Sequence, residues 1–150
     1  MNVQSVRKHP AGSDSDSGRK VRKYRSGARA REHRGPLRGF EHYIPVGDDP
    51  HAVAIGSGVN TRAGCRRIAE YAFQYAVNNG RKKVTVVHKA NILKALTGLF
   101  LETAREVGKR YEGRVEVDER IVDACAMQLV LDPWQFDVIL TTNLFGDILG

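Results

Sequence analysis

Two polar turns carry side chains that could take part in chemistry. The first has the sequence His-Lys-Ala-Asn at residues 88–91 and follows residues 84–87, a β-branched run with the composition of a buried strand. The second follows a similar apolar run at 138–140 and contains Asn143 and Asp147. Since ligands of open α/β proteins bind at the carboxyl ends of the strands, both turns are candidates for one binding site.

Asp123 adds an acid between the two turns. It interrupts an apolar run with helical spacing at residues 121–130. A carboxylate among apolar residues is costly to bury unless a cation or a hydrogen-bond donor meets it, and hard divalent cations prefer carboxylate oxygens as ligands. One lysine, two aspartates and two asparagines, placed by strand ends and a helix, could therefore form a metal and anion site.

Each of these residues also has an ordinary structural role open to it. Lys89 suits a solvated loop lysine, and Asn91 suits a cap for the helix that follows. On spacing alone these ordinary roles are favoured, because most polar residues at such positions only end one element and begin the next.

The elements that must position these residues alternate along the chain. Periodicity and turn residues predict a strand at 84–88, a helix at 92–110, a strand at 114–117, a helix at 120–131 and a strand at 137–141. Upstream, Thr61 suits the N-cap of an amphipathic helix that ends at residues 78–80, and residues 42–60 are predicted to be a loop with a short extended piece. This alternation predicts an α/β fold with helices packed on a mixed or parallel sheet.

The net charge of +7 is concentrated at the start of the chain. Residues 1–40 hold 11 Lys or Arg against 3 Asp or Glu, whereas residues 41–150 hold 13 against 14. Residues 12–38 also have almost no apolar periodicity, and residues 1–38 are predicted to be a disordered basic segment that precedes a folded domain at 39–150. A solvated tail is favoured over a phosphate-binding one, and we expect no specific nucleic-acid partner.

The cysteines and the apolar pattern bear on the compartment. Cys65 and Cys125 lie on apolar helical faces without metal-ligand spacing, which suits small buried hydrophobes in a reducing compartment. The sequence contains no apolar run long enough to suggest a membrane span. Asp14 and Asp16 argue against a mitochondrial transit peptide. We therefore expect a cytoplasmic protein without a membrane partner.

Four short motifs occur in collinear order. They are Val-His-Lys-Ala-Asn-Ile at 87–92, Ile-Val-Asp at 121–123, Met-Gln-Leu-Val at 127–130 and Asn-Leu-Phe-Gly-Asp-Ile-Leu at 143–149. With them the sequence resembles the isocitrate/isopropylmalate dehydrogenase family, the metal-dependent β-decarboxylating dehydrogenases, from about Gly39 to the last residue. The resemblance implies a partial fold of that family.

The resemblance also implies roles for five residues. Lys89 would be the general base, Asn91 would approach substrate and nicotinamide, and Arg31 would bind a substrate carboxylate. Asp123 and Asp147 would be metal ligands. The cofactors implied are NAD, with NADP as the alternative, and Mg²⁺ or Mn²⁺.

The implied reaction is the oxidative decarboxylation of a 2-hydroxy acid. Glu41, His42 and the motif at 87–92 favour isocitrate, whereas the sequence at 145–149 favours 3-isopropylmalate, and a non-catalytic regulatory subunit is a further alternative. The resemblance also implies a homodimer in which Lys89 and Asp123 face the Asp147 of the partner, so that the three do not form one site within a single chain.

The sequence departs from the family pattern around Arg31. Residues 31–38 stand where the family has an Arg-Glu-Asn-Thr-Glu-type segment followed by a tyrosine, and the tyrosine has no counterpart. Residues 2–7 resemble an upstream family segment, so we interpret residues 12–38 as the product of a local reading-frame shift. The next metal carboxylate of the family would fall at position 151. On these grounds we expect the 150-residue chain to be inactive by itself.

Overall fold

A five-stranded mixed sheet forms the centre of the fold. The structure is a computed structural model. It describes residues 2–6, 26–31 and 40–150, and it describes side chains from residue 41 onward. The elements in chain order are β1 (Asn2–Val6), β2 (Ser26–Arg31), β3 (Phe40–Val46), β4 (Asp49–Ser57), α1 (Arg62–Asn78), β5 (Lys83–His88), α2 (Leu96–Lys109), β6 (Glu116–Ile121), α3 (Val122–Leu131), β7 (Val138–Thr141) and α4 (Asn143–Leu149), with a short 3₁₀ turn at Pro133–Gln135 before β7.

The strand order of the sheet is β2-β1-β7-β5-β6. Strand β5 pairs in parallel with β6 on one side and with β7 on the other. Strand β1 is antiparallel to both β7 and β2, so β2 runs in the same direction as the three parallel strands. Strands β3 and β4 form a separate antiparallel hairpin.

Two apolar layers cover the sheet, one on each face. Val84, Val86, Val138 and Leu140 pack with α1 and α2, and their largest partners include Phe73 and Phe100. The intervening residues Val87 and Ile139 pack on the other face, with Val122 and Cys125 of α3, Phe136, and Phe145 of α4. Because successive strand side chains point to opposite faces, a continuous apolar run in β5 and β7 suits a sheet covered on both sides.

The structure confirms the predicted α/β class with helices on a mixed sheet. Thr61 is the N-cap of α1, where its hydroxyl oxygen accepts a hydrogen bond from the Gly64 N–H at 3.2 Å. Gly80 ends this region with a φ of 61°, a left-handed conformation that glycine adopts without strain. Strands β5 and β7 occur within one residue of their predicted bounds.

Three elements differ from the sequence prediction. Helix α2 begins at Leu96 rather than residue 92, because the N–H groups of Ile92 and Leu93 donate to the Lys89 carbonyl and close a separate turn. Strand β6 covers Glu116–Ile121 rather than residues 114–117, since its polar side chains conceal the strand pattern. Residues 42–60 contain most of the hairpin, whose strands are exposed on both faces and so show no alternation.

Two short strands belong to residues 1–38, the segment that was predicted to be disordered. Strands β1 and β2 lie within it, and β1 pairs along β7 with Val3 opposite Leu140. Strand pairing uses backbone groups and therefore does not require the apolar periodicity that the prediction sought. The remainder of residues 1–38, including most of the segment interpreted as a reading-frame shift, lies outside the described residues.

Within the part of the chain that the structure describes, no helix has both the length and the apolar character needed to cross a membrane.

Packing between α2 and its neighbours leads to a stability prediction for Gly108→Ala. A Cβ at Gly108 would lie 2.9 Å from Cγ2 of Val117 and 3.1 Å from Cζ of Phe73. Overpacking costs about 1–3 kcal/mol, whereas Gly-to-Ala within a helix gains about 1 kcal/mol. We expect a net loss of about 1 kcal/mol in the free energy of unfolding, measured by urea denaturation.

Gly98→Ala is the matched control in the same helix. A Cβ at Gly98 would meet no atom within 4 Å, so this variant should gain about 0.5–1 kcal/mol. Equal effects of the two substitutions would contradict the close contact between α2 and β6.

Candidate active site

One row of paired residues crosses the sheet and aligns the ends of four strands. Arg31 of β2 pairs with Asn2 of β1, and Asn2 pairs with Thr141 of β7. Thr141 pairs with Val87 of β5, which pairs with Arg120 of β6. Since β2, β7, β5 and β6 run in the same direction, their carboxyl ends lie along a single edge of the sheet.

The candidate residues follow this row at short intervals. Lys89 and Asn143 come shortly after Val87 and Thr141, and Asp123 comes shortly after Arg120. Arg31 is the last residue of β2, so its backbone lies at the same edge, while its side chain is outside the described part. The topology therefore brings the segments that carry these candidates to the edge where α/β proteins bind ligands.

Lys89 and Asp123 form an ion pair. The Lys89 ammonium donates to a carboxylate oxygen of Asp123, with side-chain exposures of 25% and 67%. Asp123 lies in the first turn of α3, where the helix dipole favours negative charge. The hydrogen bond from Lys89 lowers the pKa of the Asp123 carboxyl, so this acid remains ionised at neutral pH. The apolar helix thus keeps its acid by exposing it and pairing it with a cation.

The turn after β5 holds the backbone of Lys89 at both ends of the residue. The Lys89 N–H donates to Oγ1 of Thr97 at 3.3 Å, and the Ala90 N–H donates to Nδ1 of His88 at 3.0 Å. The Lys89 carbonyl accepts from the Leu93 N–H at 2.8 Å. These bonds give the lysine a defined starting point even though it follows the last residue of a strand.

Asn91 is exposed within this turn. The N-cap position of α2 is Ala95, and no side chain caps the helix there. The alternative role of Asn91 as a helix cap is therefore wrong, and its predicted role near the nicotinamide stays a prediction.

Asp147 is an exposed residue of α4, the helix that begins at Asn143 directly after β7. Its oxygen donors and those of Asp123 suit Mg²⁺ or Mn²⁺, which are hard cations. Over residues 40–150, however, no three His, Cys, Asp or Glu side chains come close enough together to hold a metal ion. The two aspartates therefore fit part of a metal site, and the remaining ligands would have to come from elsewhere.

His88 is a residue to which the sequence analysis gave no role. It is partly buried at the end of β5, and burial lowers its pKa, with the charge of Glu119 acting in the opposite direction and that of Arg105 in the same direction. Arg105 of α2 binds Glu119 of β6 through two hydrogen bonds of 2.6 and 2.7 Å, which lower the pKa of Glu119. Only its position beside Lys89 could have singled out His88 in the sequence.

The ion pair predicts how the titration of Asp123 depends on Lys89. The pKa of Asp123 in the folded chain lies below the ordinary value of 3.8. The ion pair therefore stabilises the fold at pH values above 3.8, and this stabilisation is lost as the pH falls through the lowered pKa. Lys89→Gln should raise the pKa of Asp123, followed by ¹³C NMR of the carboxyl carbon. Lys94→Gln, in the same exposed turn, is the control. An unchanged Asp123 titration in Lys89→Gln would exclude the pair in solution.

Comparison with known proteins identifies the family. The family model described as isocitrate/isopropylmalate dehydrogenase matches residues 30–150, which include Arg31 and begin upstream of the boundary predicted at residue 39. The NAD isocitrate dehydrogenase regulatory subunit 3 of Arabidopsis thaliana, a mitochondrial protein, is 56% identical over 92 residues, or 61% of this chain and 25% of its own length. The homoisocitrate dehydrogenase of Methanocaldococcus jannaschii is 52% identical over 92 residues, or 61% of this chain and 26% of its own length.

A solved structure extends the similarity to the fold. The crystal structure of isocitrate dehydrogenase from Methylococcus capsulatus superposes with a TM-score of 0.70 at 58% identity and covers 74% of this chain and 32% of its own. The chain spans about a quarter of the length of the curated relatives that it matches. Since the family model covers most of the chain and the motifs lie on the expected elements, the chain belongs to the isocitrate/isopropylmalate dehydrogenase family.

Proposed function

We propose that this chain forms part of an NAD-dependent dehydrogenase that oxidises the 2-hydroxyl group of isocitrate and releases the β-carboxylate as carbon dioxide. The observation that carries this proposal is the placement of Lys89 beside Asp123 at the carboxyl edge of the sheet, in a chain of this family. Relatives named as NAD isocitrate dehydrogenase subunits support the choice of cofactor and substrate.

The roles of the residues follow from their chemistry. Lys89 would act as the general base that takes the proton of the substrate hydroxyl at Nζ, and a bound nicotinamide would supply the acceptor for the hydride. Asp123 holds Nζ in place and remains negatively charged. Asn91, exposed in the same turn, is available to contact the substrate and the nicotinamide. Arg31, at the end of β2, would pair with a substrate carboxylate.

Asp123 and Asp147 would hold Mg²⁺ or Mn²⁺. When bound, such an ion polarises the forming ketone and stabilises the enolate that decarboxylation leaves. In our proposal Asp147 serves the site of one subunit while Lys89 and Asp123 serve that of the other. A homodimer related by a two-fold axis would exchange these residues in both directions and make two equal sites.

Exposed apolar side chains on α3 and α4 support the dimer. Val130 is 84% exposed, and the other large apolar residues left exposed on these two helices are Met127, Leu131, Leu144 and Ile148. Large apolar side chains exposed together on two packed helices are typical of a protein interface. The hairpin also leaves apolar residues such as Tyr43 and Val46 exposed, and a two-stranded ribbon is marginally stable unless it packs on something. Both surfaces suit contact with a second copy of the chain.

Two alternatives remain as proposals of lower rank. The family includes 3-isopropylmalate dehydrogenases, and a substrate panel on the active protein would separate these acids. A regulatory subunit is favoured by the similarity to the Arabidopsis protein, whereas the paired Lys89 and Asp123 favour a catalytic role. Loss of activity on Lys89→Ala would exclude the regulatory role.

The shared site predicts complementation between two inactive variants. In a full-length chain that carries residues 41–150, Lys89→Ala and Asp147→Asn should each be inactive as homodimers. Mixed dimers should regain activity, because one of the two sites then holds both intact residues. The measurement is the rate of NADH formation after the subunits are exchanged.

Lys89→Ala mixed with Asp123→Asn is the matched control. These two residues lie in the same subunit's half of the site, so neither site of this hybrid is intact and the mixture should stay inactive. Hybrids of Lys89→Ala and Asp147→Asn that form but remain inactive would exclude the shared site.

The interface predicts the effect of a charge on α3. Val130→Glu should weaken the dimer by at least roughly tenfold, since an unpaired buried carboxylate costs several kcal/mol. Tyr71→Glu, a substitution of a large exposed residue on α1, should leave the dimer unchanged. Sedimentation velocity over a concentration series distinguishes the two, and equal effects would exclude α3 from the interface.

A further inference from the structure

Two consecutive peptide N–H groups at the end of β5 bind side chains. The Lys89 N–H donates to Oγ1 of Thr97 at 3.3 Å, and the Ala90 N–H donates to Nδ1 of His88 at 3.0 Å. The first acceptor lies on α2, and the second lies on the last residue of β5. The peptide groups on both sides of the Lys89 Cα are therefore held by acceptors that substitution can remove.

Thr97 closes a small network around this turn. Its hydroxyl donates to the Leu93 carbonyl at 3.1 Å, and the Leu93 N–H donates to the Lys89 carbonyl at 2.8 Å. Thr97 is only 2% exposed. Loss of its hydroxyl would leave the partly buried Lys89 N–H without this acceptor, whereas the Leu93 carbonyl would keep its hydrogen bond from the Thr97 N–H at 2.9 Å.

We propose that His88 and Thr97 are positioning residues that fix the backbone of Lys89 so that its Nζ reaches Asp123. The consequence for catalysis rests on the proposed role of Lys89, whereas the positioning itself concerns only the described chain. Lys89 begins a turn rather than continuing a strand, so regular strand pairing does not hold it. The two side-chain acceptors supply the constraint that the sheet no longer provides.

The role of His88 requires an unprotonated Nδ1. A neutral imidazole with its proton on Nε2 accepts the Ala90 N–H, whereas an imidazolium carries a proton on both nitrogens and cannot accept. Burial and Arg105 of α2 favour the neutral form, and Glu119 of β6 favours the charged form. Since the folded-state pKa lies below the ordinary value of 6.5, the bond is present at neutral pH and is lost as the pH falls through the lowered pKa.

Each of the two side-chain acceptors is tested in the 150-residue chain by a pair of variants, one that removes the acceptor and one that keeps it. Thr97→Val removes the hydroxyl and keeps the volume, whereas Thr97→Ser keeps the hydroxyl. His88→Leu removes the acceptor, whereas His88→Asn places an amide oxygen near the position of Nδ1 and does not titrate. Two measurements apply to every variant: hydrogen exchange of the Lys89 and Ala90 amides by NMR, and acylation of the Lys89 amine relative to Lys109 by mass spectrometry.

In the variants that lack an acceptor, the Lys89 and Ala90 amides and the Lys89 amine should become more accessible to solvent and reagent. Loss of one hydrogen bond should reduce protection of the affected amide about threefold to tenfold and raise the relative acylation of Lys89 by a similar factor. His88→Asn and Thr97→Ser should stay within about twofold of the wild type on both measures. The Ala90 amide shift of the wild type should titrate with His88 below pH 6.5, and His88→Asn should abolish that titration.

Equal protection and acylation within a pair would overturn the role of that residue. If His88→Leu does not fold, the Ala90 titration of the wild type still decides the case for His88, since an amide shift that is flat with pH overturns it. None of these measurements requires enzymatic activity, so they decide the positioning role separately from the proposed function. A failure here would leave the proposed function standing.

Discussion

Parallel pairing of β5 with both β6 and β7 is the constraint on which the rest of this structure depends. It sets one register row from Arg120 through Val87 to Thr141, and β1 continues that row to Arg31. Because side chains alternate along a strand, a shift of one residue would turn every core side chain toward the wrong face. The two apolar layers on the sheet therefore also determine where Lys89 begins.

The chemistry at the sheet edge depends on that register in a direct way. Lys89 and Asp123 follow neighbouring strands and meet across the gap between a turn and the start of α3. The lysine is fixed through its peptide groups by His88 and Thr97, and the aspartate is fixed by its place in the first helical turn. Two charged side chains can thus pair at the surface while the strands beneath them stay apolar.

The uneven coverage of the molecule supports the shared site that we propose. On one face α1 and α2 enclose Phe73 and Phe100 completely. On the other face α3 and α4 cover Ile139 but leave Val130 and Leu131 in solvent. The side of the sheet that carries Asp123 is therefore the side whose outer surface still has apolar area to bury, and a second subunit placed there would also approach the sheet edge.

Much of this protein was predictable from its sequence by itself. The β-branched runs at β5 and β7, the helix that begins after Thr61 and the alternation between them follow from local preferences and periodicity, and the structure confirms them. The family followed from short motifs in order, and its model matches residues 30–150. Lys89 and Asp123 were also selected as candidates in this way, because motif residues keep their place in the chain.

Only the tertiary structure decided which of these residues meet and what holds them. The contact of Lys89 with Asp123 spans 34 positions of sequence and depends on β5 and β6 being neighbours, which no local pattern specifies. The strands β1 and β2 escaped prediction for a related reason, since their pairing uses backbone groups that every sequence has. His88 and Thr97 look like ordinary residues of a strand and a helix, and they acquire a role because folding places their side-chain acceptors against the peptide groups that flank the Lys89 Cα.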